Sequence, residues 1–428
     1  MIEVNSREQS DGGKPVGIAF IGAGKRLTGL FGRLLPQESN IRLMGVYDPS
    51  PEAHEQIRER FGDCKRYESV EEAVADPAVY WVAIGSWNAS HAEQILLALE
   101  AGKDVFCEKP LATSFEDCLR VREALETSGR RFVFGLVLRY SPFYDKIKEI
   151  VGDGTVGNIL SMEFNETLSP NHGGYIMGNW RRHRSKAGPH ILEKCCHDLD
   201  IANWLMECLP VRAASIGGRR FFKPENAYRA AEMGPDDRGR PAFEAWRGPQ
   251  EVNPFSGEGD ILDTQVAILE YASGAPASFH TNTASALPER RFYIVGDRGT
   301  VRGDVLTGEI AYSPMRNGIG RYGPMQHTAP YNVLRLPIGG SHGGGDDILM
   351  ENFRAVALEG AAPRAGIDEA VASAVPSFAI DEAQRSGRMI DLSGYWERAD
   401  IDPARFVFGE SGRVRKEPLE AGGGPAGK

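Results

Sequence analysis

The sequence is poor in cysteine, has no excess of cationic residues and contains no long apolar run, and each shortage removes a class of function. Six cysteines in 428 residues cannot staple a chain of this length; none forms a C-x-x-C pair, and Cys195 and Cys196 are neighbours. A disulfide scaffold is thereby set aside, and a reducing, cytoplasmic setting is expected. Lys plus Arg number 49 against 59 Asp plus Glu, a formal charge of −10. That balance speaks against nucleic acid as a partner, because phosphate backbones are held by clustered cations. No stretch approaches the ~20 apolar residues of a membrane span. The polar leader Met1–Lys14 lacks the apolar centre of a secretory signal. What remains, 41% apolar and 25% charged, is the balance of a soluble globular protein, and at ~150 residues per domain the length predicts two or three domains.

From residue 15 to about Arg139 short β-branched runs alternate with helical stretches. Strands are expected at Val16–Ile21, Ile41–Tyr47, Trp81–Ile84, Asp104–Cys107 and Phe132–Phe134. Strands spaced by helices imply right-handed crossovers and a parallel, doubly covered sheet, an α/β Rossmann dinucleotide-binding domain over 15–139. Beyond residue 155 strands predominate: Ile159–Phe164, Ala213–Ile216, Gln265–Tyr271, Ala277–Thr281, Arg291–Val295 and Thr300–Val305. The main helix among them is expected over 189–207. An α+β domain with an open, mostly antiparallel sheet over 140–415 follows. The Gly-, Pro- and charge-rich segment 219–259 reads as a surface insertion, either a lid or a loose loop. A flexible tail is expected over 416–428.

Gly22-Ala23-Gly24 sits between the first strand and a helix. Glycine there permits a tight turn whose N–H groups approach a pyrophosphate at the positive helix terminus. Leu27 occupies the place of the third glycine of G-x-G-x-x-G. Asp48, about two dozen residues on and at the end of the second strand, is placed to accept hydrogen bonds from ribose hydroxyls and to repel a 2′-phosphate. It equally suits the Asp48-Pro49-Ser50-Pro51 turn. NAD is therefore expected, with Arg26 keeping NADP open.

Two further groups carry chemistry. Glu108-Lys109-Pro110 follows a strand at the edge where doubly wound sheets bind ligands. Glu193, His197 and Asp200 fall at i, i+4 and i+7 of the expected helix, on one face, where a carboxylate one turn away orients an imidazole and raises its basicity. Neither H-x-x-x-H nor paired C-x-x-C spacing accompanies them, so no metal is expected. The run Trp180-Arg181-Arg182-His183-Arg184 is either a clamp for a sugar acid or sugar ring, or a solvated or oligomer-contacting face. Asn171-His172-Gly173-Gly174-Tyr175 is a similar candidate.

These residues resemble the glucose–fructose oxidoreductase/inositol dehydrogenase (Gfo/Idh/MocA) family. Gly22-Ala23-Gly24, Ser90-His91-Ala92-Glu93, the stretch 101–112 ending Glu108-Lys109-Pro110-Leu111-Ala112, and the Glu193…His197…Asp200 helix carry the likeness, which runs from Val16 to about Leu392. It implies hydride transfer between nicotinamide and a carbinol of a sugar, sugar acid, inositol or related polyol. Lys109 and His197 would be the proton-transfer and alkoxide-stabilising pair, and Glu193 stands where many members have Asp. Cofactor contacts are then expected from Gly22, Gly24, Lys25, Arg26, Asp48, Ser86, Asn88, His91, Glu108 and Lys109. Substrate contacts are expected from Lys109, Arg139, Trp180, Arg181, Lys194 and His197. The glycine-rich loop Gly339–Asp346 is a flexible loop or a substrate contact. The same motifs suit a glycoside hydrolase or lyase working through transient sugar oxidation, while a non-enzymatic NAD-binding sugar sensor would not need the Lys–His pair. A homodimer or homotetramer is expected.

Overall fold

The structure, a computed structural model, describes residues 15–244, 252–315, 332–337 and 339–409. The expected leader and tail lie outside the described residues, as do 245–251 within the insertion. Six parallel strands form the first sheet: β1 (Val16–Ile21), β2 (Ile41–Tyr47), β3 (Lys65–Arg66), β4 (Trp81–Ile84), β5 (Asp104–Cys107) and β6 (Phe132–Phe134), in the order β3-β2-β1-β4-β5-β6. All of β4 and β5 is buried, which is why β4 and the part of β5 after Asp104 read as apolar runs; Asp104 itself pairs with Arg131.

The tight crossing of β1 and the helix Lys25–Leu34 has an unusual solution. Leu27 is fully buried, and a Cβ added at Gly85, just beyond β4, would lie 2.8 Å from the Leu27 Cβ. The bulk is on the helix and the missing side chain is on the strand. The absent third glycine of the turn is thus replaced by a glycine elsewhere.

The second sheet has nine strands: β7 (Ile159–Thr167), β8 (Pro210–Gly218), β9 (Thr264–Tyr271), β10 (Pro276–Asn282), β11 (Arg291–Gly296), β12 (Gly299–Asp304), β13 (Glu309–Pro314), β14 (Asn332–Arg335) and β15 (Ile390–Asp391). Their order is β14-β13-β12-β11-β7-β10-β9-β8-β15. Only the β7–β10 pairing is parallel among those described. One face carries the helices, while Leu160, Ile216, Ile268 and Tyr293 of the sheet are exposed.

One expectation is corrected, and two features go beyond the sequence reading. The helix over 189–207 is broken into His190–Glu193 and Cys196–Met206. Two long helices were not foreseen: Gly345–Glu359, which packs on the helix Lys25–Leu34, and Ile367–Ser386, which packs between β8 and the first domain's helix Phe115–Ser128. Phe353 stacks edge-on with Phe31, Trp81 and Phe106 at 5.3, 5.0 and 5.6 Å, so the chain returns to complete the core of the domain expected to end at 139. The insertion is also no loose loop where it is described. Phe222, Phe243 and Phe255 form a second buried cluster with Leu168, Ile176 and Met177, and the buried Asp263 carboxylate accepts the N–H groups of Arg220, Phe221 and Phe222.

Candidate active site between the domains

The dinucleotide turn opens the site. Gly22 has φ +81°, and a Cβ there would meet the Ser86 backbone at 2.7 Å, so only glycine fits. The helix Lys25–Leu34 starts without a side-chain cap, leaving its first N–H groups available to an anion. Asp48 is engaged by backbone on both sides: one oxygen accepts the Ala23 N–H at 2.7 Å and the other the Ser50 N–H at 2.8 Å, so it closes the Asp48–Pro51 turn and ties it to the glycine turn. Lys25 is exposed beside the turn. This turn, with its open donors and a carboxylate at the end of β2, fits NAD.

Several residues expected on the cofactor are otherwise engaged. Arg26 pairs with Glu108 at 2.9 Å and with Asp346 at 2.8 Å. Its charge is met by two carboxylates, which removes the basis for reading a 2′-phosphate there, and the Glu108 carboxylate is committed to Arg26. The Ser86 hydroxyl donates to Gln94 at 2.6 Å. Asn88 is buried and donates to the Ala187 carbonyl at 2.9 Å, tying the first domain to the second. His91, also buried, bonds the Pro110 carbonyl at 2.7 Å, so it positions the Lys109-Pro110 segment.

Lys109 leaves the end of β5 through a cis Lys109-Pro110 bond and reaches the second domain. Its Nζ donates to the Glu193 carbonyl and lies 3.4 Å from the Glu193 carboxylate. That carbonyl is the acceptor a continuous helix would offer to the N–H of His197. Taking the lysine instead ends one helix at Glu193 and starts the next at Cys196. Glu193 also receives Arg181 Nε at 3.0 Å. Burial alone would raise the Glu193 carboxyl, but Lys109 and Arg181 outweigh it and hold the group well below the usual range.

His197 lies in the first turn of the helix Cys196–Met206, buried, with Nδ1 lacking a hydrogen-bond partner among the described residues. Burial, with the charges of Lys109 and Arg290 adding to it, lowers its pKa well below the ordinary value, so the ring is neutral and able to take a proton. The expected carboxylate–imidazole stripe is not formed. Glu193 serves Lys109 and Arg181, and Asp200 makes two 2.7 Å bonds to Arg139. Arg139 is 3% exposed, packed over Trp204 and Phe408; it belongs to the core and is withdrawn as a substrate contact.

The cationic run divides. Arg181 faces the site, bonded to the Tyr175 hydroxyl at 2.9 Å and stacked 4.3 Å over Trp180. Arg182 is buried against the Asn179 carbonyl and Arg184 pairs with Asp381, so neither joins a clamp. Lys194 pairs with Glu166 at 3.0 Å. Arg290 bridges Glu166 and Asp198, each at 2.7 Å. Burial and the neighbouring Glu166 raise the Asp198 carboxyl. The sequence reading missed Glu166, Arg290 and His190; the only signal was charge interrupting the alternation at the end of β7 and the start of β11. His190 and His172 are neutral beside them: burial lowers them to about 4 and about 3. Among the described residues no cluster suited to a metal ion occurs, and no helix is long and apolar enough to cross a membrane.

Comparison with known proteins agrees with the two-domain fold. The profile described as an oxidoreductase family with an NAD-binding Rossmann fold matches residues 16–136, and that for the family's C-terminal alpha/beta domain matches 148–392. Inositol 2-dehydrogenase of Gluconacetobacter diazotrophicus is 34% identical over 213 residues, 49% of this chain and 59% of the relative. The 2,7-anhydro-N-acetylneuraminate hydratase of Escherichia coli is 26% identical over 290 residues, 68% of this chain and 66% of the relative. The chain thus spans less than two thirds of each of these two. Levoglucosan dehydrogenase, solved with NADH and levoglucosan, shares the fold with TM-score 0.70 at 18% identity, covering 89% of this chain and all of that one.

Proposed function

Because the chain belongs to the Gfo/Idh/MocA oxidoreductase family, we propose that it transfers hydride between NAD and a carbinol of a sugar, inositol or related polyol, with Lys109 and His197 handling the alcohol oxygen. The observation carrying this reading is that the Lys109 amine, from the end of β5, is bonded to Glu193 at the break that opens the second domain's helix Cys196–Met206, whose first turn holds the buried His197.

NAD, bound on the Gly22–Gly24 turn, supplies the hydride acceptor. His197, kept unprotonated by its burial, accepts the hydroxyl proton as the C–H bond breaks. Lys109 donates to the same oxygen and stabilises the alkoxide-like charge that develops there. Glu193, ionised and bonded to both Lys109 and Arg181, holds the amine in place. In the reverse direction the same groups return the proton.

A second reading has one observation in its favour, the likeness to a hydratase acting on an anhydro sugar. There the oxidised carbon would acidify a neighbouring C–H, and elimination or hydration would follow before the hydride returns. An NADH-absorbance screen over inositols, pyranoses, uronates and anhydro sugars, with product analysis by NMR, separates the two. Net NADH formation supports the dehydrogenase; product change without net NADH supports the hydro-lyase. His197→Ala should lower turnover ~10²–10⁴-fold while NADH affinity persists. Wild-type turnover in that variant removes His197 from the chemistry.

A further inference from the structure

The glycine-rich loop ahead of the helix Gly345–Glu359 has no part in the proposed chemistry. It delivers an imidazole to the site. His342, between Ser341 and Gly343, has φ +53°, a left-handed conformation uncommon for a residue with a side chain. Its ring lies 6.4 Å, centroid to centroid, from that of His197. The Asp346 carboxylate bonds His342 Nδ1 at 3.1 Å and is itself held by Arg26, which pairs onward with Glu108. The ring is therefore braced against the first domain, and its Nε2 makes no hydrogen bond among the described residues.

We propose that His342 is a substrate-binding residue that grips the hydroxyl next to the reacting carbinol, with Asp346 as its positioning residue. This rests on the hydride-transfer reading above. The gap between the two rings suits a vicinal diol, one oxygen on each imidazole at about 2.9 Å. Burial and the charge of Arg26 lower the His342 pKa, against the opposing pull of Asp346, while Asp346 itself stays below its usual value despite burial, through His342 and Arg26. His342 Nδ1 lies 3.1 Å from the Asp346 carboxylate and 3.5 Å from Arg26 Nη1; with the nearer, ionised carboxylate accepting Nδ1–H, Nε2 is left as an acceptor for a hydroxyl proton. The ligand class follows: polyols with adjacent hydroxyls, discriminated from their deoxy analogues by an acceptor that would otherwise stay unpaired.

The test uses the NADH complex of the full chain, a polyol active in the screen and its analogue lacking the adjacent hydroxyl. His342→Ala and His342→Asn are compared with wild type by KM, kcat and calorimetric titration. Asn keeps the left-handed backbone and can still reach Asp346, yet falls short of the gap. Both variants are expected to raise KM and weaken polyol binding by about tenfold, the value of one hydrogen bond, while the deoxy analogue binds all three proteins equally and NADH affinity is unchanged. Unaltered KM in both variants overturns the proposal, as does full recovery in His342→Asn, which would trace the effect to loop conformation. Turnover indifferent to His342 leaves the hydride-transfer reading standing. Absence of both turnover and polyol binding in wild type removes that reading and this one with it.

Discussion

His190 is buried and neutral beside Lys194 and Glu193, with its Nε2 3.4 Å from the Thr281 hydroxyl. Its folded pKa, about 4 because of burial, lies below the ordinary value near 6.5. Between those limits the unfolded chain binds a proton at this position that the folded chain refuses. The stability contribution is complete above pH 6.5 and is lost as pH falls. His190→Gln should therefore flatten the acid dependence of urea unfolding between pH 6.5 and 5 by about 1 kcal/mol per pH unit; an unchanged slope would mean that the ring is solvated. None of this was legible in the sequence, where His190 is one polar residue before an apolar stretch. Lys109 and His197 were legible because short motifs surround them. Their true partners were not, since Glu193 and Asp200 satisfy a helical spacing on paper while each is claimed by a cation from another segment, Lys109 with Arg181 and Arg139 respectively.

Among elements, the central strands of the first sheet were readable because both their faces are covered, so β1 and β4 are apolar throughout and β5 is apolar after Asp104. The helix Ile367–Ser386 was hidden for the same reason applied to a different geometry. Packed between β8 and the first domain, it is rich in buried Ala and Ser and has no polar face to impose a 3.6-residue rhythm. The short edge strands β14 and β15 carry no pattern that a few residues could express. The dinucleotide turn shows a departure that the sequence displayed without its compensation: Leu27 was visible, its partner Gly85 was not. Gly85→Ala should destabilise the wild-type chain by about 1–3 kcal/mol through overpacking against Leu27. In a Leu27→Gly background the same substitution should cost little, since the Cβ it meets is gone. A double-mutant cycle by urea denaturation measures the difference, and additive costs would show that the two sites do not touch.

For the whole molecule, the decisive feature is that the chain crosses back. A reading that ended the first domain at 139 was reasonable, because the five strands expected before that point already form a nucleotide-binding pattern. Yet Phe353 fills the space among Phe31, Trp81 and Phe106, Arg26 is anchored by Asp346, and the next helix, Ile367–Ser386, is shared between the halves. The two domains cannot unfold independently while these segments remain in place. Removing the Phe353 ring should cost about 3–5 kcal/mol, as for other buried aromatics. Since its helix follows directly on the loop that carries His342 and precedes the one that spans both domains, the loss should be felt as a single transition. In Phe353→Ala the midpoint of urea unfolding should fall equally whether followed by far-ultraviolet circular dichroism or by NADH binding. Separation of the two curves, with NADH binding lost first, would show instead that the first domain melts alone and that the returning helix is a cover rather than part of its core.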